Sequence, residues 1–116
     1  MHNPRLKLKL VIDDQDTLLG PGKIDLLTAI ATEHSLSKAA KSIGMSYRRA
    51  WLLIQELNDS LKEPVLTTQT GGQSGGGSEL TPLAYELISL YQTLTEEAEA
   101  ATADTRQRLA ALMKVD

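Results

Sequence analysis

Residues Ser35–Leu57, SLSKAAKSIGMSYRRAWLLIQEL, carry the most informative pattern of the chain. Its first half predicts a short helix over Lys38–Ile43, whose free amides can be capped by Ser35 or Ser37. Gly44 ends that helix, because glycine adopts a positive φ at no steric cost. The pattern is therefore a short helix followed by a tight turn.

The second half of the stretch predicts a longer amphipathic helix. Ser46 is its expected N-cap and Pro64 closes it. Apolar residues recur at i, i+3, i+4, i+7 and i+11, namely Ala50, Leu53, Ile54, Leu57 and Leu61. This stripe buries one face of the helix and leaves the other in solvent.

Small and apolar residues stand where two short helices would have to cross closely. The predicted packing set is Ala39, Ala40 and Ile43 on the first helix, Gly44 at the bend, Met45 as turn anchor, and Ala50 and Leu53 on the second helix. The outward set is Ser46, Tyr47, Arg48, Arg49, Leu52 and Gln55. The arrangement predicts a helix-turn-helix, the motif whose second helix enters the DNA major groove with its N-terminal residues.

Charge is unevenly distributed along a chain that has 12 basic and 15 acidic residues and a net charge of −3. Residues 34–55 hold Lys38, Lys41, Arg48 and Arg49 and no acid, whereas residues 64–105 hold acids and no Lys or Arg. Cations in the first turn of a helix oppose its dipole, so Arg48 and Arg49 indicate an anionic partner such as phosphate or guanine. The alternative is a merely solvated basic face.

The chain before this motif predicts one strand and one helix. Residues Arg5–Ile12 alternate, with Leu6, Leu8, Leu10 and Ile12 on the face expected to be buried. A polar loop over residues 13–22 leads to a helix that begins near Ile24 and ends at Glu33.

After the motif, Val65–Thr70 and Ser78–Thr81 predict a hairpin with a glycine-rich tip. The hairpin has no Lys or Arg, so it would contact a phosphate backbone through glycine amides and polar side chains. Candidate contacts are Thr67, Thr68, Thr70, Gln73 and Ser74.

Residues Leu83–Met113 contain neither Gly nor Pro and predict one final helix of about 30 residues, or about 45 Å. Such a helix overhangs a body of this size, and packing against a second copy would cover it. The candidate dimerisation residues are Leu87, Tyr91, Leu94, Ala98 and Ala101, with Leu112 beyond them. The alternative is a frayed or broken polar tail.

Three single residues carry separate expectations. Trp51, the one tryptophan, is expected to pack against the hairpin or the first helix rather than to touch a base. The hydroxyl of Tyr47 would meet phosphate or only water. His34 is read as a loop residue and not as a pH switch.

Several functional classes are excluded by composition. The 116 residues include no Cys and only His2 and His34, so neither a disulfide framework nor a metal site is expected. Catalytic sets are missing, and the glycine cluster lacks the Lys-Ser/Thr of a phosphate loop, so no enzyme and no cofactor is predicted. Apolar runs are too short for a membrane span, which predicts a cytoplasmic protein.

The quoted motifs resemble the N-terminal winged helix-turn-helix domain of ModE-type molybdate-responsive regulators, relatives of the LysR-type DNA-binding domains. The resemblance covers about two thirds of the chain. Its segments are IDLLTAI at 24–30, SLSKAAKSIGMSYRRAW at 35–51 with Ile54 and Asn58, PVL at 64–66 and GGQSGGGSELT at 71–81. It implies a dimeric transcription factor, with the helix from Tyr47 in the major groove, the Thr67–Ser78 hairpin as the wing and the last helix holding the dimer.

Three departures from that family are visible. His34 and Ala84 stand where the family commonly has Gly, which puts the turn before the second helix and the start of the last helix in question. The sequence ends at Asp116, before the oxyanion-binding domains of the full-length regulators, so molybdate binding is not expected of this chain.

Together these features predict a mainly α fold with a small β-sheet: a winged helix-turn-helix over residues 1–81 and a long C-terminal dimerisation helix over residues 82–116. The predicted function is regulation of transcription by a homodimer bound to duplex DNA. The rival is a protein-interaction module that keeps the winged fold and uses its acidic last helix. A stand-alone relative, with its effector domain on another polypeptide, is a third possibility.

Overall fold

The computed structural model describes residues 4–12, 17–69 and 77–114 of the chain. Its elements are β1 (Leu10–Val11), β2 (Thr17–Leu19), α1 (Pro21–Glu33), α2 (Leu36–Ser42), α3 (Tyr47–Ser60), β3 (Leu66–Gln69), β4 (Gly77–Leu80), α4 (Pro82–Ala101) and α5 (Ala103–Ala110). The strands form two antiparallel pairs, β1 with β2 and β3 with β4. The long last helices draw the molecule out to 58 × 33 × 23 Å. The predicted class, mainly α with a small β component, is confirmed.

The core lies among α1, α2 and α3. Leu26, Leu27 and Ile30 of α1 are fully buried, and Leu57 of α3 meets them from the other side. The small residues at the crossing of α2 and α3 are buried as predicted, namely Ala39, Ala40 and Ala50. Because these side chains end at Cβ, the two backbones approach closely and form the helix-turn-helix.

The turn between α2 and α3 matches the prediction at glycine and differs at isoleucine. Gly44 has a φ of 70°, the left-handed conformation that the turn requires. Met45 is partly buried against the core, and its amide donates to the Ala40 carbonyl at 2.8 Å. Ile43 was expected to pack there but is 37% exposed, because it is the C-cap residue and the chain has already turned away from the core.

Serine caps begin both helices of the motif. The Ser35 hydroxyl accepts from the Lys38 amide at 3.1 Å, so Ser35 rather than Ser37 caps α2. The Ser46 hydroxyl accepts from the Arg49 amide at the same distance and confirms the predicted cap of α3. Each hydroxyl satisfies an amide that has no partner within its helix.

Helix α1 begins earlier than predicted and ends in an unusual conformation. Pro21 was predicted to belong to the loop but stands in the first turn of α1. Proline has no backbone N–H, and in the first turn of a helix that N–H would have no helical partner. His34 follows the helix with a φ of 56°, and its amide donates to the Ile30 carbonyl at 2.8 Å. Glycine adopts a left-handed cap most easily, and His34 adopts it nonetheless.

The predicted hairpin is present as β3 and β4, which pair from Leu66 opposite Leu80 to Gln69 opposite Gly77. Gly77 was expected in the tip but begins β4 instead. A Cβ on Gly77 would lie 3.2 Å from the His34 carbonyl oxygen, a tight contact that glycine avoids where the hairpin approaches α1. The glycine-rich tip over residues 70–76 lies outside the described residues.

The N-terminal segment Pro4–Lys9, here called the arm, is not the long strand that alternation predicted. Strand pairing is limited to Leu10 and Val11 opposite β2, an element that sequence reasoning had placed inside a loop. Exposure does alternate along the arm as predicted, but Ile12 is 39% exposed rather than buried. The prediction was wrong because alternation indicates which face is covered, not whether a strand or a helix covers it.

The final helix is interrupted rather than continuous. α4 ends at Ala101, and Thr102 takes a φ of −107° and a ψ of 7° before α5 begins. The Thr102 hydroxyl donates to the Ala98 carbonyl at 2.7 Å, an interaction that is known to bend helices. Ala84 fits in the first turn of α4, where it is fully buried. Its amide donates to the Thr81 hydroxyl, which caps the helix.

Among the described helices, none combines the length and the apolar character that a membrane crossing would need.

Candidate nucleic-acid interface

The first turn of α3 presents polar and cationic side chains to solvent. Ala50, Leu53, Ile54 and Leu57 hold the opposite face of the helix in the core, as predicted. That anchoring orients the outward set, of which Ser46, Tyr47, Arg48, Arg49 and Leu52 are exposed and Gln55 is half-buried. Five of the six residues predicted to face outward are therefore exposed to solvent.

Four cations surround this turn. Lys38 and Lys41 lie on α2, Arg48 and Arg49 lie on α3, and all four are exposed. Within the described ranges, none of them forms a salt bridge with an acidic group. A cluster of cations with no acidic partner creates a positive potential that attracts an anionic ligand. We refer to these four residues as the basic cluster.

The two edges of α3 differ in chemistry. Successive helical residues are rotated by about 100°, which puts Tyr47, Trp51 and Asn58 along one edge and Arg49 and Glu56 along the other. The Asn58 side chain accepts from the Val65 amide at 2.9 Å, so the aromatic edge faces the start of the hairpin. The charged edge borders a groove that the N-terminus of α1 also lines.

A buried lysine that sequence reasoning did not single out ties the charged edge to α1. Lys23 is 4% exposed, and its Nζ lies 3.1 Å from a carboxylate oxygen of Glu56. The same ammonium group donates to the backbone carbonyls of Thr17 and Leu18. Since a buried charge must be fully partnered, Lys23 has a structural role that joins β2, α1 and α3. The GPGK sequence at residues 20–23 gave no signal that this lysine is buried.

Trp51 lies in a different environment from the one expected. The indole was predicted to pack on the hairpin or on α1, yet it is 46% exposed, and Tyr47 one turn earlier is 56% exposed. The apolar stripe of α3 lies on the neighbouring face of the helix, so Trp51 stands at the edge of that stripe and is covered only in part.

The hairpin contributes two described candidates. Thr67 and Thr68 on β3 are exposed, and the Thr67 hydroxyl lies 3.5 Å from the Glu79 carbonyl, a weak contact that leaves it available. Thr70, Gln73 and Ser74 of the predicted set lie outside the described residues.

The hairpin is fastened to the end of α1 by His34. The His34 carbonyl accepts from the Ser78 amide at 3.0 Å, and its Nδ1 lies 3.1 Å from a carboxylate oxygen of Glu79. These contacts fix where β4 leaves the core, and so fix where the hairpin stands relative to α3.

The long helix has one face against the molecule and one in solvent. The inner face carries Ala84, Leu87, Ile88, Tyr91, Thr95 and Ala98, which are buried or half-buried. The edge of α4 next to Leu87, called the outer face below, carries Leu90, Leu94 and Ala101, all exposed. Of the predicted dimerisation residues, Leu94 and Ala101 thus lie outward, whereas Leu87 and Tyr91 pack on the core of their own chain. Leu90, which sequence reasoning missed, is 56% exposed.

Two side chains bind the arm to the long helix. The Tyr91 hydroxyl donates to the Leu8 carbonyl at 2.6 Å. Burial raises the pKa of Tyr91 above its ordinary value, and the negative charge of Asp25 raises it further. Arg106 donates to the Pro4 carbonyl at 3.2 Å. These contacts hold the arm along α4 and α5.

Arg106 also stabilises the junction between α4 and α5. Its guanidinium donates to the Glu99 carbonyl at 2.7 Å and to the Thr102 hydroxyl at 3.1 Å. The Glu99 carbonyl is near the end of α4, where backbone acceptors have lost their helical partners. Arg106 was not among the predicted functional residues, because no local pattern links it to a segment near the N-terminus.

Comparison with known proteins gives curated relatives along most of the chain. It is 35% identical over 110 residues to the molybdenum transport protein ModE of Azotobacter vinelandii, covering 94% of this chain and 41% of that one. It is 38% identical over 96 residues to the DNA-binding transcriptional dual regulator ModE of Escherichia coli strain K12, covering 83% and 36%. The molybdenum-pterin-binding protein MopB of Rhodobacter capsulatus is 39% identical over 82 residues, covering 71% and 30%. The chain thus spans less than half the length of these relatives.

Two solved structures share the fold. The CbnR_DBD–DNA complex matches with a TM-score of 0.55 at 22% identity, covering 78% of this chain and 95% of that chain. The BenM_DBD/benA site 1 DNA complex matches with a TM-score of 0.53 at 20% identity, covering 79% and 97%. Both confirm the winged helix-turn-helix architecture.

A family model agrees with this architecture and with the resemblance to ModE-type regulators. Its match covers residues 22–84, from the first turn of α1 through both strands of the hairpin to the first turn of α4. The chain belongs to the lysR family of bacterial regulatory helix-turn-helix proteins.

Proposed function

We propose that this protein regulates transcription by binding duplex DNA through the exposed N-terminal turn of α3. The observation that carries the proposal is the state of Arg48 and Arg49. Both are exposed on a helix whose other face is held in the core, and neither has an acidic partner among the described residues. The relatives named as transcriptional regulators and the solved DNA complexes support the same conclusion.

In this proposal α3 enters the major groove and α2 lies across the backbone. Arginine reads guanine through two parallel hydrogen bonds to O6 and N7, so Arg48 and Arg49 are the residues proposed to select sequence. Lys38 and Lys41 neutralise phosphates and set the position of the protein on the duplex. Ser46, Tyr47 and Gln55 complete the proposed contact set on this helix.

The hairpin adds contacts that do not depend on charge. Thr67 and Thr68 are exposed hydroxyl donors on β3, and Thr70, Gln73, Ser74 and the tip glycines extend the proposed contact to the end of the wing. Backbone amides and hydroxyls bond phosphate oxygens without neutralising their charge, so they release no condensed cations from the DNA. The contribution of the wing to affinity should therefore change little with salt.

A homodimer would bring two α3 helices to the DNA. We propose that it forms through the outer face of α4, where Leu90, Leu94 and Ala101 recur at spacings of four and seven residues. The proposed dimer interface omits Tyr91 of the predicted set, because its hydroxyl donates to the Leu8 carbonyl in the arm of its own chain. Residues 1–81 would thus bind DNA and residues 82–116 would dimerise, with the first turns of α4 packed on the DNA-binding body.

The proposal includes no catalytic step and no cofactor. A bacterial transcriptional regulator works where the chromosome is, so we propose a cytoplasmic location. The molybdenum in the names of the relatives is not carried over, because the chain spans less than half of their length.

The salt dependence of binding tests the electrostatic part of the proposal. Up to eight cations of the basic cluster in a dimer would give a slope of log K against log salt of about −7. Exchanging Lys38 and Lys41 for Gln removes four of them and should reduce the slope by about 3.6. Exchanging Arg108 and Lys114 for Gln removes the same charge from the far end of the molecule and should leave the slope near the wild-type value. Equal slopes for all three proteins would contradict the assignment.

The dimer has its own test. Sedimentation equilibrium of the wild-type chain should give twice the mass of 12.6 kDa, and exchanging Leu90 and Leu94 for Gln should return it to the monomer mass. Leu112 is 83% exposed beyond α5, so Leu112→Gln is a control that should leave the dimer intact. A wild-type monomer, with or without random duplex DNA, would instead favour a protein-interaction module in which the outer face of α4 binds a different protein.

A further inference from the structure

Trp51 is a large apolar side chain that the fold does not cover. It is the one tryptophan of the chain, it stands on a helix that buries four residues in the core, and it is still 46% exposed. Four residues earlier Tyr47 is 56% exposed, so the two rings follow one another along the same edge of α3. Exposed apolar surface of this kind commonly marks a site of interaction.

The position of the aromatic edge of α3 in the fold restricts which ligands can contact it. Trp51 stands one helical turn beyond Tyr47, on the edge that continues to Asn58 and through it to the Val65 amide at the start of the hairpin. A ligand that contacts both the N-terminal turn of α3 and the exposed threonines of β3 would run along the edge that carries Trp51. The proposed DNA path does this.

The charge around Trp51 also indicates that DNA covers the aromatic edge. The surface next to Trp51 is formed by the outward residues of α3, including Arg48, and residues 34–55 contain no acid at all. A basic or neutral protein surface would gain little from such surroundings, whereas duplex DNA supplies the complementary negative charge. These cationic surroundings fit an anionic occupant, and duplex DNA is the anionic occupant that the proposed function supplies.

We propose that Trp51 determines part of the sequence specificity, by packing against the 5-methyl group of a thymine in each half-site. The inference rests on the proposed function and adds a residue and a base to it. In the major groove thymine is distinguished by that methyl group, and an apolar side chain is what contacts it. The exposed indole thus adds one apolar base contact to the hydrogen bonds proposed for Arg48 and Arg49.

The first test uses the chain as it is. Because Trp51 is the one tryptophan, its fluorescence reports this position without any substitution. A duplex selected by the wild-type protein from a random pool should protect the indole, and the acrylamide quenching constant should fall at least twofold at saturation. An unchanged quenching constant, while the anisotropy of the labelled duplex shows saturation, would overturn the proposal.

The second test identifies the base. Each thymine of the selected duplex is replaced in turn by deoxyuridine, which removes the methyl group and keeps the pairing. One position in each half-site should lose about fourfold in wild-type affinity, the value of one buried methyl group. Trp51→Ala should bind the thymine and deoxyuridine duplexes equally, and Trp51→Phe should retain part of the preference.

A matched control separates this effect from a general loss of aromatic surface. Tyr85 is 49% exposed on α4, away from α3, and Tyr85→Ala should keep the wild-type discrimination between thymine and deoxyuridine. Circular dichroism shows whether Trp51→Ala is folded, and Trp51→Phe serves if it is not. Tight, sequence-specific binding with no position sensitive to deoxyuridine would contradict the Trp51 inference alone. Absence of any sequence-specific binding would overturn the proposed function together with it.

Discussion

The helix-turn-helix and the long C-terminal helix are both predicted from periodicity, but only the first matches its prediction closely. In α2 and α3 the caps, the glycine turn and the buried stripe stand where the spacing places them. In α4 and α5 the helix is broken at Thr102, and its inner face is bound by a segment near the N-terminus. The difference teaches that periodicity is reliable where the partners of a helix are its sequence neighbours.

The contacts of the two regions explain this contrast. The bonds that define α2 and α3 join residues three to five positions apart, such as Ser46 to Arg49 and Ala40 to Met45. The bonds that place the long helix join residues 83 and 102 positions apart, from Tyr91 to Leu8 and from Arg106 to Pro4. A local pattern contains the first kind of information and not the second.

The largest expected difference between the regions concerns packing. Leu57 is fully buried between α3 and α1, so Leu57→Ala should lower the free energy of unfolding by about 2–5 kcal/mol, through lost burial and the cavity left behind. Leu112→Ala, at an 83% exposed position after α5, should change it by less than about 0.5 kcal/mol. Urea denaturation followed by circular dichroism measures both. Similar losses for the two variants would mean that the core is not where the structure places it.

A smaller effect is expected at the turn between α2 and α3. Gly44 has a φ of 70° with open space around its Cα, so the cost of Gly44→Ala is conformational and should be about 1–2 kcal/mol. Gly22 also has open space but lies in the first turn of α1, with no positive φ. Gly22→Ala should therefore be neutral or slightly stabilising in the same denaturation experiment. A neutral Gly44→Ala would show that the turn is not left-handed.

The smallest effect concerns the arm. Tyr91→Phe removes the hydrogen bond to the Leu8 carbonyl and should lower the free energy of unfolding by about 1 kcal/mol. Because the pKa of Tyr91 is raised above 10.0 in the folded chain, the contribution of the protonated phenol is complete below pH 10.0 and is lost as the pH rises through the raised value.

The phenylalanine variant should lack this alkaline loss of stability. Tyr85, 49% exposed on the same helix, provides the control, and Tyr85→Phe should behave as the wild type at each pH. The arm contact would be refuted if Tyr91→Phe and the wild type lost stability in parallel above pH 10.0.

Much of the fold was predictable because its determinants are local. Ser35 and Ser46 have the hydroxyls that caps need, Gly44 has the freedom that the turn needs, and Ala39, Ala40 and Ala50 have the size that the helix crossing needs. The basic cluster was predictable because four cations within 12 residues of an amphipathic motif must lie on its outer face.

Three other features, namely the exposure of Trp51, the interruption of the last helix and the position of the arm, depend on contacts with distant parts of the chain. Trp51 is exposed because the α3 stripe fills the core without it, which no window of sequence shows. The last helix is interrupted at Thr102, whose hydroxyl donates to the Ala98 carbonyl, and Arg106 stabilises the junction through contacts on both sides of it. Apolar and polar residues alternate along the arm as in a strand, yet its backbone bonds side chains of α4 and α5 instead of another strand. Each of these features depends on contacts between segments far apart in sequence.

The central claim is that the exposed arginines of α3 bind DNA, and fluorescence anisotropy with a selected duplex tests it most directly. Changing Arg48 and Arg49 together to Ala should weaken binding by about 2–6 kcal/mol if both read bases, with the selected sequence no longer preferred over random duplex. A control with Arg108 and Lys114 changed to Ala loses the same charge and should keep both affinity and preference. Undiminished, sequence-specific binding by the Arg48→Ala, Arg49→Ala protein would contradict the account.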